Sequence, residues 1–537
     1  MRKTKITVHP SYRIGTVSPR LFGAFLEPIG HMVNGSMYNP KHPSADKNGM
    51  RQDFAGALKQ AGLPAVRLPG GNFVSGWSWK DSIGPMNERK TCLDLAWKQF
   101  IPNTVGHDEY LQWAELAGAE AMYTVNLGTG SLKDAQELVE YTNFEGGTYW
   151  SDLRKKNGHE KPYGVKTWYL GNEPDGPWQI ASWEKDPAGY GILAHEVSKV
   201  IKFTDPAAET AACVSSSPFL SHYPDWDLAA LSQCYETVDY ISMHHYHSAP
   251  PDNIPGLLAG YLAFEDYIRT ETALCDLIKT KLRSSKTMML SFDEYGSSFR
   301  PAGKVKYGMN GRIPADSFCS FDPAQKFVRH DPDDWTDTGM RRPRMNEILQ
   351  ALATGTVLLT LLRHADRIRI GCATGGLACL CMTDREHIWK GASYWPFEQM
   401  IRLCSSGTSL QAVTECEKYS VEGYAIDDMN QYSGFDNAAY TQTAAVLSRD
   451  EDELYIFALS ADTVGAQEIE IDARAFDRYT FAEHISLYAS SPEDRNTYDN
   501  ENVLIPHSID TAVCTGGVVS SVLPPLSWNL FRFTRHR

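Results

Sequence analysis

Tyr169-Leu170-Gly171-Asn172-Glu173-Pro174-Asp175 and Leu290-Ser291-Phe292-Asp293-Glu294-Tyr295-Gly296 are two short, apolar, β-prone runs. Each ends in a glutamate and opens into a turn-rich stretch. Carboxylates placed this way belong at the C-terminal mouths of the strands of a (β/α)8 barrel. The two runs, Val165–Leu170 and Met288–Phe292, have six companions at Leu21–Leu26, Ala65–Leu68, Ala121–Val125, Glu209–Val214, Tyr240–Met243 and Arg367–Cys372. Most intervening segments are long enough for a helix, and Asp134–Tyr141 and Tyr261–Leu282 carry a helical pattern. Strand and helix alternating eight times predict an α/β fold, a parallel TIM barrel. Glu173 then follows the fourth strand and Glu294 the seventh.

From about residue 400 the helical periodicity fades and short alternating strands take over, as in Glu453–Leu459 and Glu468–Asp472. This predicts an all-β sandwich at the C-terminal end. The opening strand Lys5–His9 precedes the barrel and is expected to join that sandwich. The expected division is therefore an N-terminal strand in 1–18, a catalytic barrel in 19–390 and a β-sandwich in 391–537. The stretch 296–345, rich in Gly, Pro, Asp and Arg, reads as a long loop after the seventh strand, where loops tend to be functional.

Bulk properties narrow the function. The chain has 537 residues, too many for one ordinary core, so two domains are expected. A net charge of −15, from 51 basic and 66 acidic side chains, argues against nucleic acid and suits an uncharged ligand. No run of about 18 apolar residues occurs, so no membrane partner is expected. Met1–Val8 is followed by no apolar segment of the secretory kind. The 11 cysteines are scattered without paired or zinc-like spacing, which fits free thiols in a reducing cytoplasm.

Other predicted strand ends are polar too. The first ends in Glu27, the second in Arg67 followed by Pro69-Gly70-Gly71-Asn72, the third in Asn126 and the sixth in His244-His245-Tyr246-His247. A packed barrel has no structural need for such residues on one face, and their convergence is the signature of a site. Each also has a plainer reading. Glu173 before Pro174 suits a helix start, where the dipole favours an acid. Glu294 could balance Arg300, Arg67 could be a buried ion-pair partner, and Asn72 could belong to a glycine-rich turn. His244 and Tyr246 could cap a strand, and Trp77, Trp79 and Trp97 could be core aromatics. Against these stands the chemistry of acetal cleavage. It needs a proton donor for the leaving oxygen and a second carboxylate across the anomeric carbon.

The chain resembles the glycoside hydrolase family 51 α-L-arabinofuranosidases. The resemblance runs through Phe22–Glu27, Arg67–Gly76, Asp94–Trp97, Val125–Gly130, Leu170–Glu173, Gly176–Ile180, Asp239–Ser242, Arg363–Arg367 and Leu523–Asn529. It implies a barrel with a C-terminal jelly-roll-like sandwich, often assembled as a hexamer, and no metal or organic cofactor. It also implies Glu173 as acid/base and Glu294 as nucleophile of a retaining double displacement. Asn172 is then the reader of the sugar 2-hydroxyl, Glu27 and Asn72 hold outer hydroxyls, and Tyr246 lines the pocket near the nucleophile. Arg67, Trp97 and His244 complete the expected substrate-binding set.

Two departures from the family pattern stand out. Where the family has Trp-Asn-Val-Trp after the nucleophile, this chain has Tyr295-Gly296-Ser297-Ser298-Phe299. Where the family has Ala-Gln-Leu-Val-Asn after strand eight, it has Thr374-Gly375-Gly376-Leu377-Ala378, which leaves Gly375 in place of the glutamine. Both remove side-chain volume, so a furanose with a longer exocyclic arm, such as β-D-galactofuranose, becomes an alternative substrate. His247 or the 296–345 segment could instead refill the space. The leading expectation is an intracellular, exo-acting α-L-arabinofuranosidase acting on furanose-containing oligosaccharides. The competitors are a galactofuranosidase, an endo-acting glycanase and a non-catalytic sugar-binding protein.

Overall fold

The computed structural model describes residues 1–304, 306, 324, 326–333, 335, 345–428 and 430–536. Eight parallel strands follow one another round a closed barrel, and the last returns to the first. They are β1 (Gly23–Phe25), β2 (Ala65–Leu68), β3 (Glu120–Val125), β4 (Thr167–Leu170), β5 (Glu209–Cys213), β6 (Tyr240–Ala249), β7 (Met289–Phe299) and β8 (Ile368–Ala373). Each of the eight runs seen in the sequence becomes one barrel strand. The runs are apolar on both faces because helices cover the outside while Phe25, Met122, Tyr169, Ala211, Ile370 and Cys372 fill the inside.

Local chemistry sets the helix ends. Helix α1 (Leu132–Asn143) starts at Ser131, whose side chain accepts from the Asp134 N–H. The outer layer continues with α2 (Asp225–Cys234), α3 (Tyr261–Leu282) and α4 (Glu347–Arg363). Among the described residues no helix is long and apolar enough to cross a membrane.

Two strands run further than the sequence predicts. β6 continues past Met243 to Ala249 and β7 past Phe292 to Phe299, paired from His244↔Glu294 to Ala249↔Phe299. Residues 296–299 are therefore strand, and the loop begins only afterwards. Much of the remaining 296–345 stretch lies outside the described residues. The polar character of His244–Ser248 and Gly296–Ser298 hid this extension, because the pair is covered by another part of the chain. A hairpin, Lys418–Asp427 with Asn430–Ala439, lies over it. There the Tyr432 hydroxyl accepts from the Ser248 N–H at 3.3 Å, and Arg300 pairs with Asp427 at 2.7 Å. Arg300 thus does not serve Glu294.

Apart from this hairpin and two short two-stranded ladders, Cys92–Asp94 with Gln99–Ile101 and Met382–Thr383 with Ile388–Trp389, the remaining strands form a five-stranded and a seven-stranded sheet. Arg2–Thr7 pairs antiparallel with Val413–Cys416 and parallel with Gln467–Asp472 in the smaller sheet. Ile6, Ile469, Ile471, Leu454, Ile456, Phe531 and Phe533 fill the space between the sheets. Trp528 joins this layer to the barrel. It is 1% exposed, donates its indole N–H to Gln399 Oε1 at 2.8 Å, and lies where a Cβ on Gly355 of α4 would come within 2.9 Å of its ring.

Behind β5, Asp227 of α2 and Glu271 of α3 are fully buried and face one another. Asp227 is held by the Ser215 N–H and hydroxyl at 2.6 and 2.7 Å. Burial pushes both carboxyls up. The charge of Asp227 adds to this for Glu271, and that of Asp175 adds for Asp227, which reaches about 7. As pH rises the unfolded chain releases these protons first, near pH ~4. Folding stability therefore falls from there until the folded pair has ionised as well. Glu271→Gln keeps the shape and removes one of the charges. It is expected to raise Tm at pH 8, to change it little at pH 5, and to flatten the pH dependence of thermal unfolding. Identical Tm–pH curves for the two proteins would show the pair to be inert.

Candidate active site

Barrel closure gathers the ends of β2, β4, β6 and β7 around one centre. Arg67, on β2, is fully buried. Its guanidinium reaches Glu294 Oε1 at 2.6 Å, Asn172 Oδ1 at 2.8 Å and Asp293 Oδ2 at 3.0 Å. It also lies over the Tyr169 ring, 4.8 Å from the centroid. A buried cation is tolerated only when paired. Burial pulls against the charge of Arg67, but Asp293 and Glu294 outweigh it and push its pKa up.

Glu294 accepts from Arg67 on one oxygen and from the Tyr246 hydroxyl on the other, at 2.7 Å. Tyr246 also meets Thr374 Oγ1 at 2.7 Å, which ties β6 to the end of β8. Both Asp293 and Glu294 reach the same network although strand alternation sends neighbours to opposite faces. The register of β7 shifts between Phe292 and Tyr295, and that of β6 between Ser242 and His244, and these irregularities re-aim the side chains.

Glu173 stands just beyond β4 with a left-handed backbone, φ 45°. For a non-glycine residue this costs on the order of 1–2 kcal/mol and marks a constrained position. One carboxyl oxygen faces His244 Nδ1 at 3.0 Å, and the other accepts from the Trp178 indole N–H at 3.0 Å. The second His244 nitrogen faces Asp293 Oδ2 at 3.2 Å. Burial pushes the Glu173 carboxyl up, the charge of Glu294 adds to this, and the hydrogen bond from His244 opposes it. For His244 burial works downward, yet the charge of Glu294 and the bonds to Asp293 and Glu173 raise it to about 10. The raised carboxyl and the raised imidazole face one another at 3.0 Å, so the two groups titrate as a pair.

Glu173, His244 and Glu294 offer ligand atoms that all lie within 4.8 Å of one another, the only such trio among the described residues. As a metal site the trio is poor. Both His244 nitrogens are already engaged, with Glu173 Oε1 at 3.0 Å and Asp293 Oδ2 at 3.2 Å.

The remaining expected residues fall around this centre. Asn172 Nδ2 donates to Asn72 Oδ1 at 3.1 Å, and Gln179 Nε2 donates to the same oxygen at 2.7 Å. Glu27 is buried and accepts from the Phe73 N–H at 3.0 Å and from the Trp97 indole at 2.6 Å. Burial and then the charge of Glu294 push its carboxyl well up. Gly71 makes room for it: at φ 75°, any Cβ there would fall 2.0 Å from Glu27 Cδ. Trp97, 36% exposed, is the partly open aromatic of this rim, whereas Trp77 and Trp79 are core residues at 4% and 6%. Asn126 turns out to be a loop cap, accepting from the N–H groups of Gly128, Thr129 and Gly130.

Sequence reading passed over Asp293, Trp178, Gln179 and Thr374. Trp178 and Gln179 lie in a stretch that carries the resemblance, Thr374 lies in one that departs from it, and Asp293 beside Glu294 was the available signal. His247 does not refill the rim, because it is fully buried and faces Gly256 O at 3.1 Å. Tyr295 is also buried, packed against Phe292, while Gly375 is exposed with nothing within 4 Å of where a Cβ would stand.

Comparison with known proteins gives consistent results. The family description "Alpha-L-arabinofuranosidase 1 domain" matches residues 57–268, and "Alpha-L-arabinofuranosidase C-terminal domain" matches residues 333–527. The intracellular exo-alpha-(1->5)-L-arabinofuranosidase 1 of Bacillus subtilis is 36% identical over 100% of both chains. An intracellular exo-alpha-(1->5)-L-arabinofuranosidase of Halalkalibacterium halodurans is 34% identical over 98% of both. Among solved structures, a family 51 alpha-L-arabinofuranosidase from Bifidobacterium longum has a TM-score of 0.83 at 26% identity, covering 99% of this chain and 100% of that one.

The geometry around Arg67 yields a stability test. Arg67→Met leaves Asp293 and Glu294 buried without their cation, which is expected to cost about 3–5 kcal/mol in urea unfolding. Arg67→Lys keeps a charge but lacks the planar fork that spans three partners, and should fall between the two. A methionine variant as stable as the parent would mean the carboxylates find another counter-charge.

Proposed function

The chain belongs to the glycoside hydrolase family 51 α-L-arabinofuranosidases, and from that premise we propose that it releases terminal α-L-arabinofuranosyl residues from oligosaccharides by a retaining, two-glutamate double displacement. The observation that carries this reading is the meeting of Glu173 and Glu294, with carboxylate oxygens within 4.8 Å of each other at the mouth of the barrel. Retaining enzymes hold their two carboxyl groups about 5 Å apart, whereas inverting ones leave room for a water between them.

In the first step Glu294, oriented by Arg67 and Tyr246, attacks the anomeric carbon. Glu173 meanwhile passes its proton to the departing glycosidic oxygen. Burial supports this role by favouring the protonated form of Glu173. In the second step Glu173 takes a proton from the incoming water, and the sugar leaves Glu294 with its anomeric configuration restored. Asn172, anchored by Arg67 and Asn72, is placed for the 2-hydroxyl, and Glu27 with Trp97 for the outer hydroxyls. The names of the relatives, intracellular exo-alpha-(1->5)-L-arabinofuranosidases, support exo action inside the cell.

A second substrate is favoured by one observation. The open space above Gly375, next to Thr374 and the Tyr246–Glu294 contact, leaves room at the rim for a longer exocyclic arm. β-D-galactofuranose shares the ring stereochemistry of α-L-arabinofuranose and carries one more hydroxymethylene unit. Measurable kcat/KM on p-nitrophenyl β-D-galactofuranoside beside the arabinofuranoside is the expected result. Cleavage of the arabinofuranoside alone removes this second reading.

The mechanism itself is tested by product stereochemistry. Proton NMR of the sugar at early times should show the α-anomer first, and Glu294→Ala should reduce turnover by several orders of magnitude. Initial release of the β-anomer, or undiminished turnover by that variant, would overturn the double displacement.

A further inference from the structure

We propose that Asp175, together with Ser216 and His222, is the positioning device of Glu173. It would fix the carboxyl at the angle from which it can protonate the leaving group. The inference rests on the reading of Glu173 as acid/base.

The local chain does not hold Glu173 in place by ordinary means. Gly171 and Glu173 both have left-handed φ values, 93° and 45°, so the chain reverses twice between β4 and Pro174. Only glycine adopts such values without cost. A glutamate kept there must be held by contacts on the far side of the turn. Within the loop the Trp178 indole N–H donates to Glu173 Oε2 at 3.0 Å and Gln179 Nε2 donates to Asn172 O at 2.8 Å, and backbone bonds add to these. The Gly176 N–H donates to Glu173 O at 3.0 Å, and the Trp183 N–H donates to Pro174 O at 2.6 Å.

The tie to the rest of the barrel comes from Asp175, which is fully buried. Its carboxylate receives the Ser216 N–H at 3.1 and 3.0 Å, the Ser216 hydroxyl at 3.2 Å and His222 Nε2 at 3.0 Å. All these donors come from the segment after β5. That segment is itself pinned, since Ser215 gives its N–H and hydroxyl to Asp227 of α2. The strained turn is therefore clamped to the neighbouring βα unit by a carboxylate two residues beyond Glu173, beside the Trp226 indole N–H on Trp183 O at 3.0 Å and Cys213 Sγ on Gly171 O at 3.4 Å.

Asp175 makes no contact with Glu294, Arg67 or His244 among its hydrogen bonds and ion pairs, so it belongs to the support and not to the reacting set. A support for the acid/base has a specific kinetic consequence. Departure of a poor leaving group needs the proton, and departure of a very acidic phenol does not. Misplacing Glu173 should then damage the first class of substrate and largely spare the second.

The test compares 2,4-dinitrophenyl and phenyl α-L-arabinofuranosides with the full-length enzyme and its Asp175→Ala, Glu173→Ala and doubly substituted variants. Asp175→Ala is expected to lower kcat/KM on the phenyl glycoside at least tenfold more than on the dinitrophenyl glycoside. Glu173→Ala should show the same bias more strongly, and adding Asp175→Ala to it should widen the bias no further. Should Asp175→Ala not accumulate as folded protein, Ser216→Ala and His222→Phe are read on the same two substrates, each removing one donor. A loss equal for both aglycones, or no loss, overturns the proposal while Glu173→Ala keeps its bias. If Glu173→Ala is itself unbiased, the acid/base reading falls and the positioning role falls with it.

Discussion

Two carboxylates adjacent in sequence and both shielded from water cannot share a barrel interior without a cation between them, and Arg67 is that cation. Its planar fork can address three groups at once, where an ammonium would act as a single point of charge. The contacts to Asp293, Glu294 and Asn172 lock the ends of β2, β7 and β4 to one another. The position of Asn72 follows, because the residues after Arg67 turn through Gly70 and Gly71 and bring that amide onto Asn172 and Gln179. The space left by the missing side chain of Gly71 is occupied by Glu27. One buried ion cluster therefore organises four strand ends, and the side chains proposed to meet the substrate hang from it.

The second organising element is the contact between Glu173 and His244. Asp293 sits behind the imidazole and Glu294 beside it, so negative charge on two sides favours a proton somewhere on the Glu173–His244 pair. In the proposed cycle the balance changes by itself. While Glu294 is ionised, its charge raises the proton affinity of Glu173. Once Glu294 is esterified to the sugar, that charge is gone and Glu173 becomes the weaker holder of a proton, as the second step demands. The acid and the base are the same group seen before and after a neighbour loses its charge.

Much of this was legible in the sequence. The eight strands could be read because a barrel strand is apolar on both faces and is bounded by turns. The two glutamates could be read because each closed such a run. The family resemblance carried Glu27, Asn72, Asn172 and Tyr246 to a common rim. The limits have physical causes as well. β6 and β7 run on to Ala249 and Phe299 because the hairpin 418–439 covers them, and no local pattern announces a cover supplied by residues so distant in sequence. Asp293 was overlooked because alternation assigns it to the face opposite Glu294, and only the shift of register in β7 brings both inward. Asn126 looked like a site residue because a polar side chain at a strand mouth can serve either the ligand or the backbone, and here the backbone takes it.

The same irregularity in β7 bears on how wide the pocket is. Tyr295, which follows Glu294, turns into the wall against Phe292 and is lost to the mouth. Gly296 contributes no side chain, and on the adjacent strand end Gly375 contributes none. Among the described residues, two neighbouring stretches of rim thus carry no side chain where β7 meets β8, while Glu27 with Trp97 stands beyond β1, the other neighbour of β8, and Trp178 beyond β4. Chemistry and width are consequently set by different residues. In the proposed mechanism the cluster around Arg67 fixes where bonds break, and it tolerates little change, since each charged member leaves a buried charge behind if removed. The bare rim carries no charge and no buried partner, so its shape can vary without disturbing the carboxylates. A barrel built this way can keep one reaction and alter which sugar enters it.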